Sequence, residues 1–145
     1  MEFLNPMLAH LPVIPTLLVS IVVASLLVYV PFLPVAYARL RIGYNWSAPR
    51  NMFDKLPDYA QRATWAHQNA FESLIIFAPA ALMAIATQVT SPWASTAAIA
   101  YLVARLLHSV FYILDVPIAR SAMFAIASLA TYTLFALSLK SAALF

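Results

Sequence analysis

The chain has 145 residues, of which 64% are hydrophobic and 9% charged, with a net charge of +3 and a mean hydropathy of +0.87. A water-soluble domain carries about a quarter charged residues, so this composition predicts a protein whose main partner is the lipid bilayer. With no cysteine and one glycine, disulfide frameworks, thiol nucleophiles and glycine-rich nucleotide loops are excluded. The few basic residues cannot form a phosphate-binding stripe, so no nucleic acid partner is expected.

A spanning helix needs about 20 residues, so a few spans would use nearly the whole chain and make residues 1–145 a single domain. The first predicted span, residues 11–38, carries no charge. Pro31 and Pro34 remove backbone donors late in this span and predict a kink or a helix end near Val30. A secretory signal peptide is the alternative for this segment, but the missing basic n-region and the long apolar run argue against cleavage.

Three further spans follow a polar first loop, at about residues 58–87, 92–114 and 117–139. Pro57 and Asp58 suit a helix start. The breakers in residues 87–92 divide an uncharged run that is too long for one span, and residues 115–117 supply the last turn. The sequence therefore predicts an all-α membrane protein, a bundle of four transmembrane helices.

The basic residues also predict the orientation of the bundle. They gather in the first loop and around the third turn, whereas the second turn has none: Arg39, Arg41, Arg50, Lys55, Arg105 and Arg120. By the positive-inside rule, the first and third loops face the cytoplasm and both termini lie on the non-cytoplasmic side. A bacterial inner membrane is the expected location, on the short loops together with the family resemblance given below.

Two helices carry polar stripes at membrane depth. Each stripe falls within about 80° of one helix face: Arg62, Asn69 and Glu72 on the second span, and Arg105, His108, Tyr112 and Asp115 on the third. Ionisable groups are costly in lipid unless they are paired or face a wet cavity, so the functional site is expected where the stripes meet. His67 points away from its stripe, toward a neighbouring helix or toward no partner at all.

A purely structural role for these residues is the competing interpretation. Polar side chains between membrane helices often only cross-link them, at about 1 kcal/mol or less per bond, and Glu72 paired with Arg62 or Arg105 would be such a link. The arginines as a set outnumber the nearby acids, however, and an excess of positive charge invites an anionic ligand. No metal site is expected, because His67, Glu72 and His108 lack ligand spacing. Trp65 is expected to pack inside the bundle.

Several strings of residues resemble one known family. The second-span string from Arg62 to Glu72, RATWAHQNAFE, followed by Phe77, resembles the signature of the MAPEG family, the membrane-associated proteins of eicosanoid and glutathione metabolism. The family's pattern is also similar to residues 39–41 (RLR), residues 105–108 (RLLH) with Tyr112, and residues 117–121 (PIARS). The resemblance covers most of the chain. It implies four-helix subunits that assemble as a homotrimer and bind glutathione between subunits near the cytoplasmic face.

The resemblance also implies roles for individual residues. Arg120 would be the catalytic residue that stabilises the thiolate of glutathione, the cosubstrate. The residues that would bind the tripeptide are Arg39, Arg62, Asn69, Glu72, Arg105, His108 and Tyr112. The implied activity is that of a glutathione-dependent transferase or peroxidase acting on a small hydrophobic electrophile.

The chain departs from the better-known catalytic members at several positions. Trp65 and Gln68 stand where those members carry arginines, Phe124 stands where they carry a tyrosine, and one residue is deleted between Tyr112 and Arg120. These departures favour the alternative hypothesis, a non-catalytic structural or regulatory subunit of a larger membrane complex. A small transporter or lipid-binding protein is a third hypothesis, against which the lack of repeats and of paired broken helices argues.

Overall fold

The computed structural model describes residues 11–143, and its regular structure there is entirely helical. The elements in chain order are α1 (Val13–Leu27), α2 (Phe32–Arg41), a 3-10 helix (Pro49–Lys55), α3 (Asp58–Ala86), α4 (Pro92–Ile113) and α5 (Pro117–Ser141). Together, α1 and α2 make one segment long and apolar enough to span a membrane, and each of the other three helices makes another. The predicted all-α fold with four membrane-spanning segments is confirmed. Both chain termini, in residues 1–10 and 144–145, lie outside the described residues.

The first span is interrupted between α1 and α2, as Pro31 and Pro34 predict. The regular helix ends at Leu27, and two tight turns follow, in which the Val30 amide donates to the Leu27 carbonyl at 3.2 Å and the Phe32 amide to the Tyr29 carbonyl at 3.0 Å. The helix resumes at Phe32. Pro31 has no amide proton and cannot donate to the carbonyl four residues earlier, so the helical hydrogen-bond pattern is interrupted at this point.

The central pair of the bundle is α3 and α4, with α1 and α5 each packed against both of them and α2 packed against α3. Alanines dominate the buried contacts of this pair, including Ala80, Ala84, Ala98 and Ala104. Small side chains let membrane helices approach closely, where dispersion contacts and hydrogen bonds replace the missing hydrophobic driving force. One aromatic stack fills the space between them, with the Phe77 and Tyr101 rings 3.7 Å apart.

The first loop folds back over one end of the bundle, the end that also carries the α4–α5 turn. Gly43 makes the sharp departure from α2 with φ +89°, a left-handed conformation that glycine adopts without strain. The ring of Phe53, in the 3-10 helix, lies 5.6 Å from the ring of Trp65 on α3. Trp65 is 43% exposed, so the expectation that it packs inside the bundle is wrong. Its flanking residues Ala63 and Ala66 occupy the buried face of that turn instead.

Candidate functional site

A hydrogen-bonded relay joins α3 to α4 at membrane depth. Arg105, which is 4% exposed, donates from Nη2 to Asn69 Oδ1 at 3.0 Å, and Asn69 donates from Nδ2 to Glu72 Oε2 at 3.3 Å. The i, i+3 spacing places Asn69 and Glu72 on the same face of α3, as the sequence predicts. Glu72 pairs directly with neither Arg62 nor Arg105, so the direct cross-link considered for it is wrong. The amide of Asn69 stands between the two charges.

Arg62 lies closer to the first-loop end than this relay. Its Nε donates to the Ile113 carbonyl at 3.0 Å, and its Nη1 lies 3.8 Å from Asp115 Oδ2, the one ion pair found among residues 11–143. The final carbonyls of a helix lack intrahelical partners, and a cation near them is favourable. Arg62 therefore caps the end of α4, a use that the stripe pattern on α3 did not indicate.

A second group of predicted residues stacks where α4 meets α5. The Tyr112 ring lies between the side chains of His108 and Arg120. Its centroid is 5.6 Å from the centroid of the His108 ring, and Cζ of Arg120, on α5, is 4.6 Å from the Tyr112 centroid. Pro117 starts α5 and places Arg120 on its first turn, so the one-residue deletion does not separate Arg120 from Tyr112. A guanidinium over an aromatic face is held by the ring quadrupole, which keeps its N–H groups free for another acceptor. The centroid of the Phe124 ring lies 6.3 Å from that of the His108 ring.

Arg39, in the last turn of α2, is buried in a different place. Its Cζ lies 5.8 Å from the Phe32 ring, and its side chain lines a hollow of about 990 Å³ between α2, the first loop and α3. We call this space the α2–α3 hollow. Its charged lining residues are Arg39, Arg50 and Glu72.

A smaller space lies on the other side of α3. This α3–α5 groove encloses about 260 Å³, and it is lined by Asn69, Glu72, Ser73, Ile76, Phe124, Ser128, Thr131 and Tyr132. Glu72 borders both spaces and is exposed on the surface of this single subunit. Three of the predicted site residues, Arg39, Asn69 and Glu72, line these two spaces. The other five line neither of them: Arg62, Arg105, His108, Tyr112 and Arg120.

Three of the predicted residues have polar atoms without a partner. The buried Arg39 Nε, Arg105 Nη1 and His108 Nδ1 make no hydrogen bond within the described part of the chain. Buried polar groups are almost always hydrogen-bonded, because leaving one unpaired costs about 1–3 kcal/mol. Two of the three atoms belong to guanidinium groups, so the missing partners are acceptors. In residues 11–143, no three His, Asp or Glu side chains gather as a metal site would require.

His67 has a partner on the neighbouring first span. Its Nδ1 donates to the Val28 carbonyl at 2.7 Å, at the break between α1 and α2, and its ring packs against Tyr29, Phe32 and Phe71. Of the two possibilities predicted for His67, a contact with a neighbouring helix or no partner, the structure shows the contact. The two prolines that break the span were the only signal in the sequence that a carbonyl there would need an outside donor.

These features define an integral, multi-pass membrane protein, with four apolar segments and polar side chains gathered toward one end. The model of the MAPEG family matches residues 16–140, which is most of the chain. The chain belongs to the MAPEG family, as the resemblance predicts. No curated protein matches it.

Proposed function

We propose that this protein is a glutathione-dependent transferase or peroxidase that acts on hydrophobic electrophiles. The observation that carries the proposal is a set of arginines without acidic partners. The one ion pair among residues 11–143 uses Arg62, so Arg39, Arg105 and Arg120 have no carboxylate within ion-pair distance there. The unpaired N–H groups of Arg39 and Arg105 require acceptors. Glutathione, with two carboxylates and several carbonyls, provides them in a form that arginine binds well.

Each group of side chains has a distinct role in this proposal. Arg39 and Arg105 bind the carboxylates, and Glu72, oriented by Asn69, accepts from the ammonium group. Glutathione supplies the thiol of the reaction. Arg120, held over Tyr112, places its positive charge beside this thiol and favours the nucleophilic thiolate. His108 fixes the ring of Tyr112 from the other side, while the hydrophobic substrate enters from the bilayer.

The proposal includes a homotrimer. Glu72 lies at the middle of α3, and neighbouring Gln68 is also exposed, so a lone subunit would present a carboxylate and an amide to lipid. Charged groups at this depth are strongly unfavourable unless protein or water covers them. A second copy packed on this face of α3 covers them and closes the α2–α3 hollow. Glutathione then lies between subunits.

Calorimetry with the purified protein tests the proposal. We expect heat of binding at millimolar glutathione, and about tenfold weaker binding for Arg105→Ala, equivalent to about 1.4 kcal/mol. Arg120→Ala is expected to lose thiol-dependent turnover toward a hydrophobic electrophile. Lys140→Ala, which removes a basic residue at the opposite end of α5, is the matched control and should behave as the wild type. No binding by the wild type, with no effect of Arg120→Ala on turnover, would refute the proposal.

A second candidate function is a non-catalytic subunit of a larger membrane complex. The observation in its favour is that Trp65 and Gln68, which stand where the better-known catalytic members carry arginines, supply no cation. The Trp65 ring packs against the Phe53 ring, and Gln68 is exposed. Purification in mild detergent from native membranes tests this function. A stoichiometric partner protein, together with the absence of glutathione binding, would favour it over the enzyme.

We also propose that the first-loop end faces the cytoplasm of a bacterial cell. The exposed Arg41, Arg50 and Lys55 at this end support that orientation. A phosphatase that is active only outside the cytoplasm, fused to the carboxyl terminus, is expected to be active. An inactive but expressed fusion would contradict the orientation.

A further inference from the structure

A further and much smaller cavity lies inside the subunit, between α1, α3 and α4. We call it the inner cavity. It has a volume of about 10 Å³, and six of the seven residues that line it are buried. One water molecule requires a space of about 10–15 Å³, so a lipid chain or a peptide does not fit. The lining residues are Ala24, Leu27, Val28, Ala70, Tyr101, Arg105 and Ser109.

Arg105 brings an unpaired donor to the inner cavity. Its side chain lines this cavity and neither of the two larger spaces. Its Nη2 donates to Asn69, whereas the buried Nη1 makes no hydrogen bond within residues 11–143. Leaving a buried donor unpaired costs more when the group is charged than when it is neutral. The acceptor for Nη1 is therefore expected in the space that Arg105 borders.

Two hydroxyl groups of α4 also line the inner cavity. Ser109 donates to the Arg105 carbonyl at 3.2 Å, which leaves its oxygen lone pairs free to accept. The Tyr101 hydroxyl is paired with the Ser73 hydroxyl at 3.0 Å and can accept one more bond. A buried water makes about three hydrogen bonds and needs two to four polar partners. Arg105, Ser109 and Tyr101 supply three, and the other lining side chains are apolar.

We propose that the inner cavity binds one water molecule, which accepts from Arg105 Nη1 and donates to the hydroxyl oxygens of Ser109 and Tyr101. The water keeps the guanidinium hydrated at membrane depth, where no carboxylate lies within ion-pair distance of it in residues 11–143. This inference goes beyond the proposed function, because the water site lies within one subunit and requires no glutathione. Nη1 carries two N–H groups, so the water takes one and leaves the other for a carboxylate.

Nuclear Overhauser spectroscopy tests the site on the full protein in detergent micelles, without glutathione. Alanine methyl groups are labelled with ¹³C in a deuterated background, and their cross-peaks to the water resonance are recorded. We expect cross-peaks from Ala24 and Ala70, which line the inner cavity on two different helices. Ala80 is the matched control, because it is a buried alanine of α3 that lines none of the three spaces. Cross-peaks missing at Ala24 and Ala70, or equally strong at Ala80, would overturn the proposal.

Ala24→Val separates a bound water from the exchangeable protons of the nearby hydroxyls. The two added carbons fill the inner cavity, whereas Ser109 and Tyr101 keep their hydroxyls. We expect the Ala70 cross-peak to fall by about fivefold or more, because the displaced water is the source of the signal. Ala136→Val adds the same carbons at an exposed position of α5 and should leave the cross-peak unchanged. An undiminished cross-peak in Ala24→Val would assign the signal to the hydroxyl protons and contradict the proposal.

Equilibrium unfolding distinguishes a bound water from a dry cavity and from overpacking. Displacing the water leaves Arg105 Nη1 unpaired, so we expect Ala24→Val to raise the unfolding equilibrium constant by about tenfold. In an Arg105→Met background, where no guanidinium needs hydration, the same change should raise it by less than about twofold. Equal increases in both backgrounds would indicate overpacking, and a decrease would indicate a dry cavity; either result would overturn the proposal. If Arg105→Met does not fold, the methyl cross-peaks decide.

Discussion

Asn69 is the residue on which the polar contact between α3 and α4 depends. A side-chain amide can accept through its oxygen and donate through its nitrogen at the same time, and Asn69 does both, toward Arg105 and toward Glu72. Removing it would leave two nitrogens of the buried guanidinium, Nη1 and Nη2, without a partner, because Arg105 Nη1 already has none within residues 11–143. The carboxylate of Glu72 would lose its single side-chain hydrogen bond.

The first prediction concerns this amide. We expect Asn69→Leu to lower the free energy of unfolding by about 1–2 kcal/mol, since hydrogen bonds between membrane helices contribute up to about that amount. Equilibrium unfolding in mixed detergent micelles measures the change. Gln68→Leu is the matched control, because it removes an exposed amide one residue away that makes no side-chain hydrogen bond in the described chain. Equal losses for the two variants would contradict the relay.

At the scale of the elements, the break in the first span depends on a side chain from α3. The His67 ring lies in a cage of Tyr29, Phe32 and Phe71, and its Nδ1–H reaches the Val28 carbonyl at 2.7 Å. Because α2 begins directly after this break, the same contact sets the direction in which α2 carries Arg39 into the α2–α3 hollow.

The second prediction follows from this contact. His67→Phe keeps an aromatic ring in the cage but removes the donor, so amide hydrogen exchange at residues 28–33 is expected to accelerate by about tenfold, equivalent to about 1.4 kcal/mol of local opening. Phe71→Leu is the control, since it disturbs the same cage and leaves the donor in place. If exchange accelerates equally in both variants, the hydrogen bond does not hold the break.

Much of the element order was predictable because prolines mark it. Pro57, Pro92 and Pro117 stand at helix starts, and the ends of α3 and α4 fall within a residue of the predicted spans. The contacts between helices were not predictable, because a stripe of polar residues on one helix does not identify the residues of the neighbouring helix that it contacts. Arg62 shares a stripe with Asn69, yet its partners lie at the end of α4.

For the candidate site, the polar residue types were predictable and their grouping was not. Helical periodicity brings Asn69 and Glu72 to one face, and the structure agrees. Arg39 lines the α2–α3 hollow from the last turn of α2, while Arg120 lies over Tyr112. That division depends on the packing of α2 and α5, which pattern and spacing do not encode.

At the scale of the whole molecule, the outer face of α3 is too polar to lie against lipid. Gln68 and Glu72 are exposed there near the middle of the longest helix. Other exposed residues of the bundle at this depth, such as Leu129 and Ile75, are apolar and are suited to lipid contact. We expect the polar face to lie against other copies of the chain and the apolar faces to lie against the bilayer.

The third prediction tests this arrangement. The chain has no cysteine, so Gln68→Cys introduces a unique thiol. In mild detergent, a short bis-maleimide is expected to join Gln68→Cys chains into a covalent dimer of subunits, and native mass spectrometry to give the mass of a trimer. Leu129→Cys on the lipid-facing side of α5 is the matched control and should remain uncrosslinked. A monomer mass together with equal crosslinking at the two positions would contradict the homotrimer.

The interrupted first span has a consequence for the order of biogenesis. Alone, α1 has 15 residues and is about 22 Å long, whereas the hydrocarbon core is about 30 Å thick. The loosened backbone at residues 28–31 must therefore lie within the bilayer, and its Val28 carbonyl finds a side-chain donor only when α3 arrives. The segment α1–α2 should thus settle at its final depth only after His67 has entered the membrane beside it.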